Sequence, residues 1–116
     1  MRRGRTAERD ACEFLRRKGY RILKTNIRTR RGEVDILARN GEGVRFIEVK
    51  ARRAGALCRG REAVTRNKQR RISHVAACYA PEYPGEQLGY DVVEITFGRR
   101  WAQYVLIKDA FEHRNL

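Results

Sequence analysis

Two acids and a lysine interrupt apolar stretches near the middle of the chain: Asp35 in GEVDIL, and Glu48 and Lys50 in FIEVK. Carboxylates close together hold hard divalent cations, and a lysine beside them stabilises negative charge developing on a phosphate. The question is whether the chain can bring two acids separated by twelve residues onto one surface. Between them stands Asn40-Gly41-Glu42-Gly43, a turn signal flanked by strand-like runs. Strand side chains alternate faces. Val34, Ile36 and Ala38 are therefore expected on one face of the first run, with Glu33, Asp35 and Leu37 on the other. In the second run, Ile47, Val49 and Ala51 oppose Val44, Phe46, Glu48 and Lys50. With residues 40–43 as the loop, Arg39 and Val44 close it, Asp35 falls opposite Glu48, and Glu33 opposite Lys50. A tighter Asn-Gly loop shifts the pairing by two and keeps the parity.

Two carboxylates across a ladder repel by roughly 4 kcal/mol at about 4 Å and an effective dielectric near 20. Lys50 offsets part of this. Mg²⁺ (or Mn²⁺) would offset the rest, keeping several waters and taking further oxygens from a substrate phosphate. The plainer reading is an exposed Glu33–Lys50 cross-strand ion pair worth under ~1 kcal/mol. Against it stands Phe46 on the charged face, in a chain with helices enough to cover both faces of a sheet.

The surrounding elements follow from periodicity. A helix is expected over about residues 6–18, with Ala7, Ala11, Phe14 and Leu15 as its apolar stripe, Thr6 as its cap and Gly19 as its stop. Strands follow at about 20–27, 33–38 and 44–51, and residues 52–61 read as a loop. A second helix starts at Glu62 or Thr65 and runs to Tyr79, where Pro81 ends it. A hairpin at about 90–97 and 101–107 turns at Gly98-Arg99-Arg100. The order α-β-β-β-α-β-β describes an α/β domain, a mixed sheet flanked by helices, spanning residues 1–116.

Composition points to a polyanionic partner. The chain has 116 residues and 27 Lys+Arg against 14 Asp+Glu, a net charge of +13. Such an excess repels itself and is offset best by nucleic acid. No apolar run reaches the ~20 residues of a membrane-spanning helix, and no hydrophobic segment follows the basic N-terminus as in a signal peptide. Cys12, Cys58 and Cys78, with no CxxC pair, fit a reducing cytoplasm better than a disulfide framework. His74 and Cys78, four apart, lack the second ligand pair that zinc needs. No nucleotide-binding glycine motif occurs, and His74 and His113 read as structural or solvated.

Arg28, Arg30 and Arg31 precede the first acidic strand, while Arg52, Arg53, Arg59 and Arg61 follow the second. Lys68, Arg70 and Arg71 lie on the second helix. Those flanking the acids are the expected phosphate contacts, above all Arg28, Arg30, Arg31, Arg52, Arg53 and Lys68. Only five of the 27 basic residues are lysine (Lys18, Lys24, Lys50, Lys68 and Lys108), so lysine at 50 suits a compact point charge. Tyr20, Tyr104 and Trp101 are candidates for stacking on bases, with core packing expected for at least two.

Gly32-Glu33-x-Asp35 followed by Glu48-Val49-Lys50 resembles the signature of the restriction-endonuclease-like (PD-(D/E)xK) nucleases. More narrowly, the chain is similar to the YraN family of small bacterial proteins. The landmarks are Ala7-Glu8, Phe14-Leu15-x-x-x-Gly19-Tyr20, Asn26-x-Arg28, Gly32 to Leu37, Phe46 to Lys50, and Ala63-Val64-x-x-x-Lys68. Tyr90-Asp91-Val92-Val93 and Asp109-Ala110-Phe111 extend the resemblance. It implies a restriction-endonuclease-like fold in which Asp35 and Glu48 bind the metal and Lys50 orients or activates the attacking water. Glu8 would correspond to the glutamate that Holliday-junction-resolvase-like members add to the metal site.

The combined expectation is a cytoplasmic domain that binds nucleic acid, DNA first, and hydrolyses its phosphodiesters with Mg²⁺ (or Mn²⁺). The rival is a non-catalytic nucleic-acid-binding protein, RNA-directed in one version, whose acids serve folding or a vestigial ion. A third reading, a basic adaptor for an acidic protein, leaves the acid pair idle. So small a domain covers little of a long DNA, which favours a homodimer or a protein partner.

Overall fold

The computed structural model describes residues 3–55 and 64–114, with side chains from Ala7 onward. Its elements are α1 (Arg3–Arg17), β1 (Arg21–Thr29), β2 (Gly32–Asn40), β3 (Gly43–Arg53), α2 (Arg66–Tyr79), β4 (Leu88–Phe97) and β5 (Ala102–Ile107). The expected order α-β-β-β-α-β-β is the order found. One five-stranded sheet runs β1-β2-β3-β4-β5, antiparallel except where β3 and β4 lie parallel. A parallel neighbour cannot be reached by a tight turn, and the segment carrying α2 makes that crossover.

The two helices cover opposite faces. Under α1, Ala7, Ala11, Cys12 and Leu15 pack with Ile36, Ala38, Ile47, Val93 and Ile95. Under α2, Ile72, Val75 and Ala76 pack with Val34, Leu37, Val44, Phe46 and Val92. Central strands covered on both sides lose the polar alternation of a half-wet strand. Residues 44–48 and 89–93 are accordingly buried without a break. Among the described residues no helix is long and apolar enough to cross a membrane.

Helix α1 begins at Arg3, so Thr6 lies inside it and does not cap it. Its stop is as expected. Gly19 takes φ +94°, its N–H donates to the Arg16 carbonyl, and the Tyr20 N–H donates to the Leu15 carbonyl. These are the two bonds of a Schellman ending, which asks for the left-handed backbone that glycine adopts without strain. At α2, the Thr65 side chain caps the start by accepting from the Lys68 N–H.

Three expectations need correction. Val34 packs under α2 with Leu37 and Phe46, not with Ile36 and Ala38 under α1. Arg52 and Arg53 belong to the strand β3 rather than to a loop, because β4 continues to pair with them through Thr96 and Phe97. Ala51 is exposed instead of completing an apolar face. The segment with Leu57, Cys58, Arg59, Arg61, Glu62 and Ala63 lies outside the described residues.

Candidate functional site

The β2–β3 ladder runs from Asn40 opposite Gly43 to Ile36 opposite Ile47 and goes no further. Arg39 faces Val44 within it, the register that the four-residue turn implies. At the point where pairing ends, the Asp35 carboxylate replaces the missing strand: its Oδ2 accepts the Val49 N–H at 2.7 Å. Side-chain alternation breaks there too, which is why Val34 lands on the other face. Glu33 consequently does not pair with Lys50. It sits opposite Arg28 in the β1–β2 ladder and accepts from Arg28 Nε at 3.0 Å. Both partners are exposed, so that ion pair contributes little. Lys50 stands opposite Glu94 in the parallel β3–β4 ladder.

The splay brings the two acids together. Asp35 shares a side-chain hydrogen bond with Glu48, and burial, reinforced by that bond, pushes the Asp35 carboxyl up to about 8. The Val49 N–H opposes the shift, and the charge of Glu8, reaching across from α1, adds slightly to it. From the α2 side the Lys68 ammonium abuts Glu48 Oε2. That oxygen is buried and receives no aligned hydrogen bond. A buried, incompletely satisfied carboxylate beside a second acid that has kept its proton is a site short of positive charge.

The pair fits a hard divalent ion, which takes one or two carboxylates and completes its shell with water and phosphate oxygens. Among the described residues no group of three His, Cys, Asp or Glu is gathered closely enough to hold a metal. Glu8 therefore reaches the pair as a nearby charge. Asp35 and Glu48 are the two residues that would hold the ion directly.

The raised Asp35 value has a consequence for stability. An aspartate in the unfolded chain titrates near 4. Between that value and about 8 the folded state binds the proton more tightly, so the Asp35 contribution is fully present below the unfolded value. It is lost as pH rises through the folded one, by at most about 1.4 kcal/mol per pH unit. Metal-free protein should thus lose stability from pH 5 to 9 relative to Asp35→Asn, whose amide does not titrate. Urea unfolding of both proteins at several pH values checks this; parallel curves would show that Asp35 titrates normally.

Beside the acid pair, the turn between β1 and β2 packs against the first half of α2. A Cβ on Gly32 would stand 2.9 Å from that of Arg71, so glycine permits this approach. The result is a groove of about 690 Å³ lined by Arg28, Arg30, Arg31, Lys68 and Arg71, among others. Four of the expected phosphate contacts are thus gathered in one place. Arg52 and Arg53 do not line it: Arg52 lies 3.9 Å from Glu94, and Arg53 is exposed near the end of β3. Tyr20 is buried and Tyr104 stacks on Phe14 at 5.2 Å, whereas Trp101 is 54% exposed. His113 Nδ1 lies 2.6 Å from the Tyr90 hydroxyl, and His74 Nε2 lies 3.6 Å from Cys78 Sγ.

A buried ion network was missed in the sequence. Arg45 donates from Nε and Nη2 to both oxygens of Asp91, at 3.0 and 2.6 Å, and from Nη2 to Asp109 at 2.6 Å. Asp91 also accepts from the Tyr20 hydroxyl and from the Asp109 N–H, each at 2.9 Å. The available signal was a charged residue inside each of two otherwise apolar strands, Val44-Arg45-Phe46 and Tyr90-Asp91-Val92. Nothing local pairs residues 46 positions apart.

The model of the uncharacterised protein family UPF0102 matches residues 7–95, a span that includes Glu8, Asp35, Glu48, Lys50, Lys68 and Asp91. A UPF0102 protein of Syntrophus aciditrophicus is 39% identical over 114 residues, covering 97% of this chain and 90% of its own length. One from Anaeromyxobacter sp. (strain Fw109-5) is 41% identical over 112 residues, covering 95% and 84%. A third, from Geobacter metallireducens, is 40% identical over 113 residues, covering 94% and 91%.

Proposed function

We propose a function for a chain that belongs to the uncharacterised protein family UPF0102: it binds nucleic acid and hydrolyses phosphodiesters of DNA as a metal-dependent endonuclease. The observation that carries this reading is the partly buried Asp35–Glu48 pair, short of positive charge and bordered by an arginine-lined groove. Asp35 and Glu48 hold Mg²⁺ (or Mn²⁺), with the Glu8 charge adding attraction for the cation. When bound there, the ion would supply Lewis acidity toward a phosphodiester oxygen and toward an attacking water at neutral pH. Asp35 gives up its proton on loading, and its fixed bond from the Val49 N–H keeps the carboxylate oriented. Lys50, two residues beyond Glu48 on the same strand, places an ammonium to stabilise charge developing on the phosphate. Arg28, Arg30, Arg31 and Arg71 hold the nucleic-acid backbone beside the acids. Arg52 and Arg53 extend the positive surface outside the groove.

The rival, a nucleic-acid-binding protein without catalysis, draws on the lack of a third close ligand among the described residues. Supercoiled plasmid incubated with protein and Mg²⁺ or Mn²⁺, against an EDTA control, separates the two. Nicking only with metal supports the nuclease; binding without nicking on duplex, branched and single-stranded DNA supports the rival. Free thiols at Cys12 and Cys78 suit a reducing compartment such as the cytoplasm.

Binding itself should be strongly salt-dependent. If about four to five phosphates meet the groove cations, the affinity for duplex DNA falls with a log–log salt slope of roughly −4. Replacing Arg28 and Arg31 together should flatten it by about 2, and replacing Arg52 and Arg53 by less. Fluorescence anisotropy across a salt series measures both. An affinity insensitive to salt would instead favour an acidic protein as the partner.

A further inference from the structure

Lys68 belongs to two places at once: it lines the basic groove and its ammonium abuts Glu48 Oε2 in the acid pair. We propose that Lys68 is an exchangeable counterion, holding the cation's place on Glu48 until nucleic acid draws it onto phosphate and frees Glu48 for the metal. This inference rests on the metal-dependent reading above.

Three observations carry it. First, the contact joins unequal partners: the Glu48 side chain is 8% exposed and that of Lys68 50%. The carboxylate is fixed in the sheet, while the ammonium is at the end of a flexible stem that can swing into the groove without disturbing the core. Second, Glu48 Oε2 receives no aligned hydrogen bond despite this neighbour. The ammonium supplies charge at that oxygen without a directed bond, which makes it replaceable by another cation. Third, Lys68 stands in the first turn of α2, which contains no acidic residue. A cation at the positive end of a helix is disfavoured unless an anion lies close. Glu48 is that anion without substrate; a backbone phosphate in the groove can take its place, helped by the same helix end.

The exchange makes nucleic acid and metal favour each other. An ion arriving alone must displace Lys68 from Glu48, whereas an ion arriving after nucleic acid meets a vacated oxygen. By linkage, whatever Lys68 costs the metal in free protein is relieved when phosphate binds Lys68.

Calorimetric titration of MgCl₂ and MnCl₂ into nucleic-acid-free protein tests this without relying on catalysis. Lys68→Gln should bind the ions about three- to tenfold more tightly than wild type. Arg71→Gln, which also removes a groove cation but does not touch Glu48, should change the affinity by less than about twofold. Both variants should bind a short duplex more weakly without metal. Lys68→Met is the second variant should Lys68→Gln unfold, and thermal unfolding of each protein confirms the fold. Metal affinity in the Lys68 variants equal to or below wild type would overturn the inference, as would an equal gain in Arg71→Gln. If wild type binds the ions, Asp35→Asn does not, and Lys68→Gln matches wild type, only the exchange is wrong. If neither wild type nor the Lys68 variants bind either ion, the metal-dependent function falls with it.

Discussion

Asp35→Asn should lose metal-dependent cleavage by roughly a hundredfold or more while keeping its fold and its affinity for DNA. Substitutions of groups that merely support a metal ligand cost about 10- to 100-fold, and Asp35 is placed to be a ligand itself. The variant is unusually clean because of what Asp35 is without metal. Its carboxyl, pushed up to about 8, is largely neutral at pH 7. An asparagine oxygen can still accept the Val49 N–H, and its amide can donate to Glu48 where the acid proton did. The substitution therefore copies the metal-free state and removes the negative charge needed for Mg²⁺. Metal-free DNA binding should be equal or slightly better, since asparagine removes only the small fraction of charge that Asp35 carries at pH 7. Lys50→Ala should also lose cleavage, but with weaker metal-free binding because a positive charge is gone. Plasmid nicking, anisotropy without metal, and thermal unfolding are measured for all three proteins. Cleavage by Asp35→Asn equal to wild type would mean that other residues, or a contaminant, perform it.

Asp91→Ala should cost about 3–5 kcal/mol of stability, enough to leave a domain of this size marginal or unfolded. Asp91 is 1% exposed and accepts from Arg45, Tyr20 and the Asp109 backbone. Without it, the acid left to Arg45 among the described residues is Asp109, a solvent-facing partner whose side chain is 71% exposed. The loss is large because the guanidinium of Arg45, a residue 4% exposed, is left short of its counter-charge. The ion pair need not be worth that much against apolar residues. Combining Asp91→Ala with Arg45→Met should recover a substantial part of the loss, since no charge then remains stranded. Urea denaturation of the single and double variants gives the two values. A single-variant loss below about 1 kcal/mol would show that water reaches Arg45 and that the network does not lock β3 to β4.

The acid pair illustrates where local reasoning reaches its end. Parity placed Asp35 and Glu48 on one surface because every strand residue alternates, and the four-residue turn set Arg39 against Val44. Parity also assigned Val34 to the wrong face and Glu33 to Lys50. Both errors arise at Asp35, where the carboxylate accepts the Val49 N–H and ends the ladder. A side chain that substitutes for backbone pairing breaks the period on which alternation depends. The partly buried pair is thus a product of a splay that no periodicity announces.

By itself, the sequence determined the order of the elements, the glycine stop at Gly19, the parity that puts Asp35 and Glu48 on one surface, and the surplus of positive charge. Each depends on residues within one turn of helix, one strand pair or the bare composition, where 3.6- and 2-residue periods and backbone geometry suffice. Only the tertiary structure decided that Lys68 meets Glu48, that Arg28, Arg30 and Arg31 share a groove with α2, and that Arg45 is paired with Asp91. These residues are far apart along the chain, and their distances are set by how two helices pack on opposite faces of one sheet. The same packing removed water from Glu48 and Asp91. Their need for a counter-charge is therefore a property of the fold and not of any motif.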